Sequence, residues 1–291
     1  MGRVIFHVGP EKTGSTLIQT YFEANAPRIA DASGRQAVMM NPAQVRNSGL
    51  LAEAQAVITT GEGALPGLQQ LIADYPDCTV IVSHESLFGH PDSAGFYGSD
   101  GTRRRLSELM VQGAAGRQVE FIAYYKPPHK LLESYYRHHV MHGGRLGVMD
   151  YLTKVPLLKM SFLAMRDDLV AAVGADNVTI MDAAIDDPEV FFRRFCAALR
   201  LDPGAEPLKV PADTNQSWSA LKIELARVVN GRLTPAERNA WLQAMARLNI
   251  GAETNEPFVP AIITQLVERL YADEQRSMTA LIAQDQKRRE S

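Results

Sequence analysis

The stretch RVIFHVGPEKTGSTLIQTYF, residues 3–22, decides how the chain is read. Residues 3–8 form a β-branched and aromatic run of strand type. Leu17, Ile18, Tyr21 and Phe22 then recur at helical spacing. Between them lies GPEKTGST, residues 9–16, which follows the phosphate-loop pattern G-x-x-x-x-G-K-[ST] at Gly9, Gly14 and Thr16. One position breaks the pattern. Ser15 stands where the lysine belongs, and the lysine, Lys12, comes before the second glycine. Strand, glycine loop and helix start are still an anion-binding arrangement, because the first N–H groups of a helix lack internal partners and its dipole favours negative charge. What is missing is a lysine placed for a triphosphate chain. The run TVIVS, residues 79–83, is followed by His84 and not by an acid that would hold magnesium. A donor with one 5′-phosphate carrying a transferable group fits this loop better than a nucleoside triphosphate.

Working outward, residues 37–40, 79–83, 119–125 and 178–181 read as further strands. Residues 47–60, 66–73, 102–114, 128–141 and 188–199 read as helices between them. The alternation predicts an α/β fold: a three-layer parallel sheet of the P-loop nucleotide-binding type. After the loop-like EPLKVPADTNQ only helical patterns remain, at 218–229, 235–248 and 257–283. The expected organisation is a core over 1–205 and a helical C-terminal extension over 206–291, packed on that core.

With 291 residues and 46% hydrophobic composition, the chain is large enough for a sizeable core. Thirty Lys+Arg stand against 33 Asp+Glu, so the basic excess of a nucleic-acid binder is missing. Cys78 and Cys196 sit beside apolar residues outside any C-x-x-C pair, and read as two reduced thiols. MGRVIFHVG runs straight into a strand, without the pattern of a signal peptide. No stretch approaches the ~20 apolar residues of a membrane span. A cytoplasmic protein is expected, with no nucleic-acid partner and no membrane span. The apolar positions of 257–283 would pack on the core or on a second copy, which makes a homodimer one expectation.

GPEKTGST resembles the 5′-phosphosulfate loop of sulfotransferases that use 3′-phosphoadenosine 5′-phosphosulfate (PAPS). In that family K-[TS]-G-[TS]-T follows a strand and a glycine, and here the run is Lys12-Thr13-Gly14-Ser15-Thr16. The resemblance is closer to bacterial and heparan-type members than to the cytosolic enzymes for steroids and phenols. Those carry a tryptophan just after the loop, where this chain has Leu17. The family binds the donor's 3′-phosphate with an Arg at the end of a later strand and a Ser in the following helix. VEFIAYYKPPHKLLESYYRHHV is similar to that segment, with Lys126 at the Arg position and Ser134 in the helix. Lysine is a point charge and offers no bidentate fork. Asn215-Gln216-Ser217 resembles an Asn-x-Ser that bacterial members place before a late helix, and reads equally as a helix cap.

The resemblance implies a PAPS-dependent sulfotransferase, with 3′-phosphoadenosine 5′-phosphate as product and no metal required. It assigns Lys12, Thr13, Gly14, Ser15 and Thr16 to the 5′-phosphosulfate, and Lys126 and Ser134 to the 3′-phosphate. The acceptor would be a hydroxyl or amine of a small molecule, lipid or glycan. A general base belongs at the C-terminal edge of the sheet, where IVSHESLFG offers two candidates, His84 and Glu85. Glu85 resembles the Glu of enzymes that sulfate sugar amines, and His84 the His base of cytosolic members. Glu11 is a third possibility. His138 and His142 share a helix face at i, i+4, but H-E-x-x-H is absent and a substrate-edge or surface role is expected. Arg103, Arg104, Arg105 and Arg145 would read an acidic acceptor group or simply decorate solvated surface. Two alternatives stay open. A P-loop-like nucleotide kinase would want a lysine after Gly14, and a non-catalytic nucleotide-binding protein would have no use for Lys12.

Overall fold

The computed structural model describes residues 2–89, 100–185, 187–211, 218–248 and 256–290. Seven strands are assigned among them: β1 (Arg3–Val8), β2 (Ala30–Asp31), β3 (Ala37–Met40), β4 (Thr79–Ser83), β5 (Gln118–Tyr125), β6 (Val178–Asp182) and β7 (Leu201–Asp202). The helices are α1 (Ser15–Asn25), α2 (Pro42–Asn47), α3 (Leu50–Thr60), α4 (Pro66–Ala73), α5 (Asp100–Gly113), α6 (Pro128–Met141) and α7 (Val148–Leu152). They continue with α8 (Phe162–Val173), α9 (Pro188–Ala198), α10 (Ala220–Asn230), α11 (Pro235–Arg247), α12 (Ala261–Leu270) and α13 (Ala272–Glu290).

Five strands form one parallel sheet in the order β3-β4-β1-β5-β6. Every residue of β1 is buried, as expected of a central strand covered on both faces. Alternate side chains of β1 serve the two faces. Ile5 joins Ile18 and Phe22 of α1, and Phe191, Phe192 and Phe195 of α9, in one apolar layer. Phe6 points the other way and stacks on Phe121 at 5.3 Å. On that face α8 packs on β5 and β6, and α5 packs on α8. The expected three-layer α/β architecture is therefore present. At the end of the sheet away from the strand C-termini, Glu120 accepts hydrogen bonds from Arg3 Nη1 at 2.8 Å and Arg200 Nη2 at 2.6 Å.

Contacts divide the chain into two compact units. One comprises Met1–Lys126, Lys159–Thr214 and Asp273–Ser291, and the other Pro127–Leu158 and Asn215–Ala272. These limits do not follow a single cut at residue 205. The first unit contains the sheet and also α13, whose Glu274 accepts the Phe162 N–H at 2.8 Å and so caps α8. The second is helical. In it Asn230 donates to the carbonyls of Val140 and Gly144, at 2.8 and 2.9 Å. Glu133 accepts the amides of Phe258 and Val259, at 2.9 and 3.0 Å.

Several boundaries differ from the sequence reading. The helix expected over 47–60 is α3, which starts at Leu50 because Gly49 takes a left-handed φ of 86°, and a separate helix not anticipated, α2, precedes it from an Asn41–Gln44 capping box. The pattern over 257–283 is two helices, interrupted at Tyr271, whose hydroxyl donates to Leu157 O at 2.7 Å. Helices α7 and α8, and the antiparallel pair β2–β7, were not anticipated. Asn215, Gln216 and Ser217 lie outside the described residues. Among the described residues, no helix is long and apolar enough to cross a membrane.

Candidate active site

The register of the sheet brings the ends of β1, β4 and β5 side by side, with His7 opposite Ser83 and Val8 opposite Ala123. Loops leaving these strands therefore share the C-terminal edge, where open α/β sheets bind ligands. The loop after β1 is residues 9–14. Thr13 Oγ1 donates to Pro10 O at 2.8 Å and closes it. Gly14 has φ 94°, and a Cβ there would stand 2.9 Å from Ile185 and 3.0 Å from Phe191, so glycine is required on two counts. No side chain caps α1 and no acidic residue occupies its first turn. The helix end is thus left to an anion. Ser15 is buried and Thr16 exposed, one turn-start apart on that end.

Lys12 is left-handed at φ 67°, which is uncommon for a residue with a Cβ. Its carbonyl accepts a hydrogen bond from Lys126 Nζ at 3.2 Å. The residue just past β5 is thereby brought onto the loop. Enclosure by surrounding chain lowers the pKa of the Lys12 ammonium, while the carboxylates of Glu11 and Glu85 oppose the shift. The residue is nonetheless exposed overall, so solvent screens much of this.

Glu85 opens a short 3₁₀ turn, Glu85–Phe88, directly after β4 and His84. The turn is held from three sides. Ser86 Oγ donates to Glu11 Oε1 at 3.1 Å, Gln55 Nε2 donates to Ser86 O at 2.8 Å, and His84 Nδ1 accepts the Ser86 amide at 3.1 Å. The last bond decides the chemistry of His84. Its Nδ1 lone pair is occupied, so the proton of the neutral ring sits on Nε2. That Nε2 is buried and has no hydrogen-bond partner among the described residues. Desolvation lowers the His84 pKa, and Arg46 adds to the lowering while Glu85 and Glu11 oppose it. A neutral His84 is an N–H donor, and to act as a base it would have to release the turn it caps. Glu85 has the complementary character: its Oε2 is buried with no hydrogen-bond partner among the described residues, an acceptor at the sheet's edge.

Below the loop, Gln19 Nε2 donates to Ser83 Oγ at 3.0 Å, and Ser83 Oγ lies 2.9 Å from His7 Nδ1. Burial brings the His7 pKa from its ordinary 6.5 to about 4. The sign follows from proton uptake. Below pH 6.5 the unfolded chain binds a proton that the folded chain refuses until about pH 4. Stability is fully present above pH 6.5 and is lost as pH falls towards 4, by about 3 kcal/mol for this group. Urea unfolding between pH 7 and 4 checks this. The His7→Asn variant should show a shallower acid slope, and an identical slope would contradict the assignment.

Of the residues singled out in the sequence, Lys12, Thr13, Gly14, Ser15, Thr16, His84, Glu85 and Lys126 all belong to the unit that carries the sheet. Ser134 lies on α6 in the second unit, where its hydroxyl donates to Lys130 O at 3.1 Å. The His138 and His142 rings lie with centroids 3.9 Å apart, tilted by 41°. Arg103 is buried in an ion pair with Asp168 at 2.8 Å, and Arg104 pairs with Glu108 at 3.2 Å. Arg105 lies 3.9 Å from the same Glu108 carboxylate, so each of the three arginines has a carboxylate partner. Sequence reasoning missed the Glu11–Ser86 bond, the Gln19–Ser83–His7 network and Arg46 beside His84. Each joins distant segments, the first two by hydrogen bonds and the last by charge, and none leaves a local pattern.

No family model matches the chain, and no curated protein matches it. Among solved structures it is similar to that of a sulfotransferase from Alicyclobacillus acidocaldarius, with a TM-score of 0.47 and 14% identity over 87% of this chain and 98% of that one.

Proposed function

We propose that the chain transfers a sulfuryl group from PAPS to a hydroxyl or amine. One observation carries the proposal: Lys12 stands ahead of the uncapped start of α1, electrostatically coupled to Glu85, a carboxylate with an unpartnered buried oxygen. That is a cation for a leaving group and a base for an acceptor, beside an anion-binding helix end.

In this reading the N–H groups at the start of α1, with Ser15 and Thr16, hold the 5′-phosphate. Lys126 is assigned to the 3′-phosphate, with its ammonium shared between that group and the Lys12 carbonyl. Ser134 is assigned to the same phosphate on the sequence resemblance alone. The acceptor's oxygen or nitrogen attacks sulfur in line, and a new O–S or N–S bond forms. The bond from sulfur to the bridging phosphate oxygen breaks, and its electron pair stays on that oxygen, giving 3′-phosphoadenosine 5′-phosphate. Lys12 meets the charge growing there. Glu85 takes the acceptor's proton. Charge stabilisation and positioning are the protein's main contributions, as in phosphoryl transfer.

The test is chromatographic detection of 3′-phosphoadenosine 5′-phosphate released from PAPS in the presence of pooled amine and alcohol acceptors. Acceptor-dependent release with a matching sulfated product supports the reading. Intact PAPS after prolonged incubation with every pool would overturn it.

A further inference from the structure

The turn after α6, His142-Gly143-Gly144-Arg145, meets the connection between α10 and α11 within the helical unit. Asn230, the last residue of α10, joins the two by donating to the carbonyls of Val140 and Gly144. Three arginines come together at this corner. Arg238 of α11 lies on the backbone of Gly143, where a Cβ would stand 2.7 Å from its Nε and 2.9 Å from its Cζ. Gly143 also has a φ of 93°, so glycine is what admits the guanidinium. Arg145 reaches Gly231, where a Cβ would stand 3.9 Å from its Cδ, and Arg232 is the next residue. Among the described residues, none of the three guanidinium groups makes a hydrogen bond or an ion pair.

Their neighbours differ, and the difference is already in the sequence. Arg137 of α6 pairs with Glu133 at 2.8 Å, and Arg227 of α10 with Glu224 at 2.8 Å, each across about one helical turn. No acid lies three or four residues from Arg145, Arg232 or Arg238. Glu237 is adjacent to Arg238, but its Oε2 accepts from the Thr234 amide and hydroxyl, at 2.9 and 2.7 Å. Three cations therefore share one corner while the nearby carboxylates are committed elsewhere.

We propose that this corner binds a small polyanion, a molecule carrying two or more phosphate, sulfate or carboxylate groups. The inference stands apart from the sulfuryl-transfer reading, because all its residues belong to the helical unit and none to the glycine loop. Guanidinium forks match such oxyanions in bidentate geometry, and an anion between them offsets their mutual repulsion. Three forks suit charge spread over more than one group. A nucleic acid would need a longer basic surface, and the chain carries 33 acidic against 30 basic residues.

The experiment is calorimetric titration of the full chain with inorganic tripolyphosphate, at a salt concentration of about 150 mM. Lys12 and Lys126 would also draw phosphate, so the Lys12→Ala/Lys126→Ala variant is titrated beside the unaltered chain. Tripolyphosphate is expected to bind both, at least about tenfold tighter than orthophosphate. In the lysine variant, Arg238→Gln and Arg145→Gln should each weaken binding about tenfold, and Arg238→Lys should recover part of it. Arg269→Gln, at an exposed α12 position with no ion pair among the described residues, should leave it unchanged. Thermal unfolding reports the fold of each variant, and the exposed Arg145 keeps the test open if Arg238→Gln does not fold. No binding by the unaltered chain, binding that vanishes in the lysine variant, or an affinity unmoved by both arginine variants would overturn the proposal. An equal loss in Arg269→Gln, or tighter binding of a short single-stranded DNA, would overturn it as well.

Discussion

Glu85→Gln is expected to lower the rate of sulfuryl transfer by about two to four orders of magnitude, the usual contribution of a positioned general base. Binding of 3′-phosphoadenosine 5′-phosphate should stay within about twofold, because the amide keeps the shape of the side chain and only the proton acceptor is lost. The expectation stands on Oε2, which is buried beside the loop with no hydrogen-bond partner among the described residues. His84 supplies the control. Its Nδ1 accepts the Ser86 amide, so the ring acts as an N-cap for the turn that carries Glu85. Asparagine can accept the same bond, and His84→Asn should retain turnover within about threefold, since a cap is worth about 1 kcal/mol of local stability. Single-turnover rates at saturating donor separate the two. Full activity in Glu85→Gln with none in His84→Asn would transfer the role of base to His84.

Lys12→Ala is expected to cut turnover by about two to three orders of magnitude, on the scale of a lost oxyanion donor. Affinity for the donor product should fall less, because the start of α1 remains to hold the 5′-phosphate. The backbone adds a second reason to expect a rate effect. Lys12 holds a left-handed conformation and Lys126 bonds to its carbonyl, so the ammonium is carried on a constrained loop. Lys12→Arg distinguishes charge from placement. A guanidinium is longer and planar, and recovery should be partial. Turnover unchanged in Lys12→Ala would remove the residue from the mechanism.

The parts of this molecule that were legible in the sequence are those with a short-range physical cause. The strands of the main sheet read as strands because buried parallel strands are continuous apolar runs, as VIF in β1 and TVIV in β4 show. The glycine loop between β1 and α1 was legible from Gly9 and Gly14, and the structure shows a helix beginning directly after Gly14, where a Cβ would stand 3.0 Å from Phe191. Some signals were present and passed over. Gly49 marked the break between α2 and α3, and Phe162, Met165 and Leu169 of α8 carry helical spacing. Other features had no local signal at all. Nothing about a lysine announces a left-handed φ, so the backbone conformation of Lys12 came only with the fold. The bond from Ser86 to Glu11 joins residues 75 apart, and the one from Lys126 to the loop spans 114. That His84 Nδ1 accepts the Ser86 amide also needed coordinates, because the sequence does not say which ring nitrogen caps a turn.

The central claim is that this loop binds a 3′-phosphorylated nucleotide with a single 5′-phosphate, and calorimetric titration tests it most directly. The protein would be titrated with 3′-phosphoadenosine 5′-phosphate, 5′-AMP and Mg-ATP, with and without EDTA. The account predicts metal-independent binding of the first, at least about tenfold tighter than 5′-AMP, or about 1.4 kcal/mol. Preference for Mg-ATP, or equal affinity for 5′-AMP and its 3′-phosphorylated form, would contradict it.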